Sequence, residues 1–255
     1  MPLVQCDASQ LEWRTAVELS HDSVGLKEIL NGNDTHSLNQ AAFQLPSRLI
    51  AKIYLFRTIF RGSGWSFAND PDFMHVSSSS VYWDKVNEKF YGKYYGLDAK
   101  HKEWANIVLS GRGIVGPLGR EWSIPLKGAG NFDIPWTLLS NYPVQGTGAD
   151  IMCIARLSAY RRIRESGIPC IFVTTVHDSI VVDTPSKYVQ QIVNIFHEVF
   201  ADLPLNIKKL FKYDWQVPMA CECKTGMRMM DKYKSLPDGT KIIQCETGMQ
   251  KISRT

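Results

Sequence analysis

The sequence lacks any apolar run near the ~18 residues that a membrane-spanning helix needs. Its opening, Met1-Pro-Leu-Val-Gln-Cys-Asp7, lacks the basic-then-apolar layout of a signal peptide, so export is not expected and a cytoplasmic setting is. Internal repeats and low-complexity tracts are absent too. Charge of one sign is scarce in excess: 29 Lys and Arg against 25 Asp and Glu give +4, which permits a polyanionic partner without demanding one. The six cysteines (6, 153, 170, 221, 223 and 245) show no paired spacing of a disulfide framework, which suits reduced thiols in a cytosolic compartment. Cys221-x-Cys223 invites a metal reading, but no second Cys/His pair stands at such spacing, so structural zinc is not expected.

What is present is a globular composition. The chain has 255 residues, 44% of them hydrophobic and 21% charged, with mean hydropathy −0.17, so it is neither disordered nor membrane-spanning. That length makes one large domain or two small ones, burying roughly 70 to 75% of the unfolded surface.

Leu3 to Cys6 reads as a short strand running into Asp7, followed by helical spacing from Leu11. Asp22 to Leu30 and Asp34 to Leu45 read as helices opened by capping Asp residues, and Pro46-Ser47 starts another. In that last helix Arg48, Lys52, Phe56 and Phe60 recur every four residues on one face. Residues 81–91 and 98–109 read as two solvated helices, and 111–125 as a glycine-punctuated hairpin. A longer helix is expected from about Gln145 to Glu165. The runs 170–176 and 180–183 suit two strands joined by a tight turn with Asp178 at its tip. A helix over 185–200, a strand near 217–223 and a loose tail over 228–255 complete the reading. The seven tryptophans read as core or hairpin packing rather than base-stacking platforms.

Two carboxylates stand out, because Asp7 and Asp178 each sit at the end of an apolar strand, where a rigid scaffold can aim an acid at a cleft. Two such acids can share a pair of hard divalent cations about 4 Å apart, a device for in-line attack at phosphorus; two unrelated turn acids are the alternative. Arg48 and Lys52, a turn apart, suit a triphosphate clamp or a solvated helix face. Lys100, Lys102 and the cluster Arg161-Arg162-x-Arg164 are open between solvated faces and phosphate contacts. His21, His75, His101 and His197 receive no role.

Asp7-Ala-Ser-Gln10-Leu-Glu12-Trp-Arg14 resembles motif A of the family A (DNA polymerase I-like) DNA polymerases, Asp-x-Ser-x-x-Glu-x-Arg. Arg48-x3-Lys52-x3-Phe56-x3-Phe60 resembles motif B, Val176-His177-Asp178 motif C, and Asn141-x-Pro-x-Gln145-Gly-Thr147 the segment that opens a palm helix. The four occur in family order, and residues 28–52 are most similar to the bacteriophage branch, which would make the setting a bacterial host's cytoplasm. The resemblance implies an α/β (α+β palm) fold: an antiparallel palm sheet with a helical fingers subdomain, a right-hand polymerase without its thumb. The palm would take residues 1–33 and 111–227, the fingers 34–110, and the tail 228–255.

The resemblance also implies roles. Asp7 and Asp178 would be the catalytic acids, holding two Mg²⁺ ions together with the Ala8 carbonyl. His36, Arg48 and Lys52 would neutralise the triphosphate, Phe56 would pack beside the sugar, and Phe60 would stack near the template base, with Gln10 also at the nucleotide. Glu12 would be the gate that leaves no room for a 2′-OH, which argues against a single-subunit RNA polymerase. Arg120, Asn141, Gln145 and His177 would contact the duplex near the primer terminus, where minor-groove acceptors are nearly sequence-independent.

Two positions depart from the pattern: Ser179 stands where motif C has Glu, and Phe60-Arg61-Gly62 where motif B ends in Tyr-Gly. Only six residues precede Asp7, whereas family members carry a thumb and further palm strands ahead of it. The resemblance therefore implies the palm-and-fingers portion of a split or a truncated enzyme, and the expected partners are a DNA template-primer, dNTPs and, for a split enzyme, a separate N-terminal polymerase polypeptide. That partner is expected to dock along an open sheet edge at Leu3 to Cys6. A non-catalytic nucleic-acid-binding remnant is the alternative of another class.

Overall fold

The computed structural model describes residues 1–127, 133–227, 232–235, 241–244 and 249–254. In chain order they form β1 (Leu3–Ala8), α1 (Leu11–Ser20), α2 (Ser23–Leu30), α3 (Thr35–Phe43), α4 (Arg48–Thr58), α5 (Gly64–Ala68), α6 (Ser80–Lys93), α7 (Tyr95–Leu109), β2 (Ile114–Val115) and β3 (Glu121–Trp122). Then come α8 (Trp136–Glu165), β4 (Ile171–Val176), β5 (Ser179–Asp183), α9 (Val189–Ala201), α10 (Leu203–Phe211), β6 (Cys221–Gly226), β7 (Lys232–Ser235), β8 (Lys241–Gln244) and β9 (Gln250–Ile252). The chain groups into two compact units, one of residues 1–11, 149–206 and 219–255, the other of residues 12–148 and 207–218.

The first unit is built on an antiparallel sheet which, among the described residues, has the strand order β4-β5-β1-β6-β9. β1 alternates strictly, with Val4, Cys6 and Ala8 buried and Leu3, Gln5 and Asp7 half-exposed, as a strand with two unlike faces must. The expected open edge at Leu3 to Cys6 does not exist. β5 pairs with β1 on one side, from Leu3↔Asp183 to Asp7↔Ser179, and β6 on the other, from Leu3↔Gly226 to Ala8↔Cys221. The strand expected near 217–223 lies at 221–226 and returns antiparallel along β1, which satisfies that ladder. β4 instead ends the sheet; its register slips between Phe172 and Thr174, and Ile171, Val173 and Val176 are exposed, features of an edge strand.

Where it is described, the C-terminal segment is not a loose tail. β9 joins β6 with Cys223 opposite Ile252, and β7 pairs with β8. α9 is strongly amphipathic: Ile192, Val193, Phe196 and Phe200 are buried, and the helix packs on β1 and β6. Each such side chain contributes about 1.5–3 kcal/mol of burial.

The second unit is helical around an aromatic core. The Tyr54 ring centroid lies 5.2 to 6.0 Å from those of Phe43, Phe67, Trp83 and Phe90. α6 and α7 were expected to be solvated; they instead bury Trp83, Val86 and Phe90, and Leu97, His101, Trp104 and Val108, each set a stripe with steps of three and four residues. Trp13, Trp83, Trp104 and Trp215 are core residues, whereas Trp65 is 70% exposed. α2 is capped by Asp22, whose second oxygen also accepts from the Gly96 N–H, tying α2 to α7. The hairpin of β2 and β3 forms as expected. α8 begins at Trp136 rather than near Gln145, carrying Pro143 inside it, where a proline argues for a boundary in a sequence read alone.

Candidate active site

In the first unit, Asp7 is the penultimate residue of β1 and stands opposite Ser179 at the start of β5. His177 and Asp178 form the two-residue turn between β4 and β5, and the Ala8 N–H donates to the Asp178 carbonyl at 2.8 Å. The two acids thus sit on adjoining strand ends. His177 takes left-handed backbone (φ 53°), an arrangement that costs about 1–2 kcal/mol outside glycine and clusters at functional turns. Gln10 is also left-handed (φ 52°), where the chain leaves β1 after the Ser9 N–H bonds the Ala220 carbonyl at 2.9 Å.

A further acid escaped the sequence reading. Glu222 on β6 stands opposite Asp7 on the flank away from Ser179, and directly opposed residues of an antiparallel ladder share a face. Its carboxylate pairs with the Lys251 ammonium at 2.9 Å. The alternation of β6 could have found it, since the residue between two inward cysteines must point the other way.

In the second unit, α4 divides by period. Ile50, Ala51, Tyr54, Leu55 and Thr58 are buried, whereas Arg48 and Lys52 are exposed and Phe56 is half-buried. Arg48 is engaged by a bidentate pair, Nε to Asp34 Oδ2 at 2.6 Å and Nη2 to Oδ1 at 2.9 Å. Asp34 stands at the N-cap of α3 yet makes no side-chain cap bond; its carboxylate serves Arg48 and the Ser37 hydroxyl instead. The Arg48 hydrogen bonds hold the Asp34 carboxyl well below the usual range. His36 is buried with an unpartnered Nδ1, and its ring lies 6.2 Å from that of Phe56. Burial pushes its pKa down, with Arg48 and Lys52 acting the same way against Asp34, so the imidazole is neutral near pH 7.

Phe60 is not on the helix. α4 ends at Thr58, and Arg61 takes the left-handed position (φ 60°) that closes it, with the Gly62 N–H bonding the Arg57 carbonyl at 3.0 Å. A glycine ordinarily fills that place. Arg61 is held there by Asp98 Oδ1 at 2.6 Å and His101 Nδ1 at 2.9 Å, with its guanidinium 4.1 Å from the Tyr91 ring centroid.

Glu12 in the first turn of α1 accepts from Gln145 Nε2 on α8 at 3.1 Å, which fixes the carboxylate's direction. Asn141 is half-buried one helical turn earlier on α8, and Arg120 is exposed just before β3. Of the more distant cations, Lys100 pairs with Glu103, Lys102 with Asp98 and Arg162 with Asp202.

These features agree with what the chain resembles. The sequence model of DNA polymerase family A matches residues 1–231. DNA polymerase I of Aquifex aeolicus is 25% identical over 232 residues, 82% of this chain and 38% of that protein. The DNA polymerase of Bacillus phage SP01 is 30% identical over 95 residues, 37% of this chain and 10% of that protein. Among solved structures, the POL domain of Pol1 from M. smegmatis, in complex with DNA primer-template and dNTP, superposes with a TM-score of 0.74 at 19% identity, over 89% of this chain and 40% of that one. The chain spans well under half the length of these relatives. With the family pattern matched over most of its length, and with a palm-like antiparallel sheet in one unit and helical fingers in the other, this chain belongs to DNA polymerase family A.

Proposed function

We propose that this chain carries the nucleotidyl-transfer centre of a template-directed DNA polymerase, which joins a deoxynucleotide to a primer 3′-OH. The observation that supports it most is the placement of Asp7 and Asp178 on adjoining strand ends, tied by the Ala8 N–H to Asp178 carbonyl bond. Two carboxylates and the Ala8 carbonyl form an all-oxygen donor set, which fits Mg²⁺ and not a soft metal. Two Mg²⁺ ions held there would supply the charge that neutralises the reacting phosphate and acidifies the primer hydroxyl.

The chain's own residues do the rest. Arg48 and Lys52 take the charge of the triphosphate, Arg48 exchanging its Asp34 partner for phosphate oxygens. His36, its ring 6.2 Å from that of Phe56, hydrogen-bonds the triphosphate beside them. Phe56 and Gln10 bound the sugar and base, and Phe60, on the turn past α4, faces the template base. Glu12, steered by Gln145, fills the space a 2′-OH would need, so the substrate is a deoxynucleotide. Arg120, Asn141, Gln145 and His177 hold the duplex near the primer end.

Further polymerase polypeptide, carrying a thumb and more palm, pairs along β4, where Ile171, Val173 and Val176 are exposed. One experiment tests both parts: single-turnover primer extension with Mg²⁺, with and without N-terminal polymerase polypeptides from the same genome. Asp7→Ala and Asp178→Ala are expected to lose at least ~10³-fold in rate while DNA binding survives. Variant rates within about tenfold of the parent would remove the metal assignment. Full activity of a monodisperse chain alone would remove the partner, and retained DNA binding with no extension in any mixture would favour a non-catalytic remnant.

A further inference from the structure

Cys221 and Cys223 are two apart on β6 and therefore share a face. Cys223 stands opposite Cys6 on β1, so Cys6 joins them. The three Sγ atoms lie within 4.8 Å of one another, and all three residues are buried. From the helix packed over that face, His197 of α9 turns its Nδ1 to 3.7 Å from Cys221 Sγ. Its Nε2 is buried and has no hydrogen-bond partner.

Four donors converge here from three elements, and sulfur and imidazole nitrogen are the ligands of a soft or borderline cation. A tetrahedral zinc ion with Zn–S near 2.3 Å and Zn–N near 2.0–2.1 Å sets its sulfurs about 3.8 Å apart and its nitrogen about 3.6 Å from each sulfur. The three sulfurs, within 4.8 Å of one another, and the Cys221–His197 pair at 3.7 Å come close to those values, and the His197 ring has to turn to bring a nitrogen equally near Cys6 and Cys223. Spacing along the sequence concealed this set, because Cys6 and His197 reach it through strand pairing and helix packing.

We propose that Cys6, Cys221, Cys223 and His197 bind one structural zinc ion that ties β1, β6 and α9 together. The four protein ligands close the coordination sphere, so the ion has no open position for chemistry. The site lies on the opposite face of β1 from Asp7, one residue away, and braces the strand that carries the acid. It does not rest on the polymerase reading.

The test is the metal content of the full chain purified without chelators. One zinc per chain is expected, released by a mercurial thiol reagent. Cobalt substitution should give the thiolate-to-cobalt charge-transfer band and the intense visible bands of a tetrahedral site. Cys221→Ser and His197→Ala should lose the zinc and lower the thermal midpoint by roughly 5–10 °C, whereas Cys153→Ser, at an exposed thiol, should change neither. If the variants fail to fold, the cobalt spectrum of the parent still decides. Zinc below about a tenth of an equivalent with no cobalt–thiolate band would overturn the proposal. So would a Cys6–Cys223 disulfide in a non-reducing peptide map.

Discussion

Lowering the pH from 7.5 to 5 should destabilise the helical unit by about 2 kcal/mol through one buried imidazole, His101. The ring is fully buried, and its Nδ1 accepts from the Arg61 guanidinium, which requires the neutral form. Burial first, and Arg61 second, push its pKa down to about 3 against the opposing pull of Asp98. Because the folded pKa is depressed, the native state binds fewer protons than the unfolded chain. The stabilisation is complete above the unfolded value near 6.5 and is lost as pH falls from there toward 3. At pH 5 the unfolded imidazole lies about 1.5 units below its pKa, and at about 1.4 kcal/mol per unit this gives the 2 kcal/mol. Asp98 is held below its usual range by Lys102 and Arg61, against the larger effect of its burial, so its own loss begins only below about pH 4. Urea midpoints followed by circular dichroism at pH 7.5, 6 and 5, for the parent and His101→Gln, separate the two. Glutamine keeps an acceptor for Arg61 and cannot titrate, so the variant's decline over this window should flatten. An equal decline in both proteins would refute the assignment.

Glu12→Ala removes both the proposed gate and the acceptor of the Gln145 bond, and ribonucleotide over deoxynucleotide incorporation should rise by ~10- to 100-fold in the ratio of kcat/KM. An unchanged ratio would mean Glu12 is not the gate. With Phe56 beside the sugar as proposed, Phe56→Tyr would supply a hydroxyl where a dideoxynucleotide lacks its own, so chain termination by dideoxynucleotides should rise by about tenfold or more. Equal termination in both proteins would take Phe56 out of the nucleotide site.

What was legible in the sequence is what rests on local physics. The apolar run from Leu3, the capping Asp22 and Ser47 and the two-residue turn at Asp178 each act within a few residues, and each element appears where expected. What failed depended on distant partners. Whether α6 and α7 are solvated depends on what covers Trp83 and Trp104, and Pro143 hid the first turns of α8 because other packing tolerates it there. α4 could be read as far as its face but not its end, since the motif's four-residue beat continues to Phe60 while the helix stops at Thr58. Arg61 accepts a backbone position suited to glycine because Asp98, His101 and Tyr91 hold its side chain.

The site shows the same division more sharply, because β1 carries unlike chemistry on its two faces. Asp7 could be found alone, as an acid ending an apolar strand. That Glu222 and Ser179 flank it could not be read, since they come to it only through the register of two ladders set far along the chain. A shift of one residue in the β1–β6 pairing would exchange the faces of β6, bringing Glu222 under α9 and Cys221 and Cys223 beside Asp7. Burying an unpaired carboxylate costs several kcal/mol, whereas burying the two thiols of β6 costs far less, so the alternation Cys221-Glu222-Cys223 itself selects the register that leaves an acid beside Asp7. The thiols need no conserved chemistry of their own to do this. A zinc ion between them would add a bond-strength penalty to the same slip, because Cys6 and His197 keep their places while their partners would turn away.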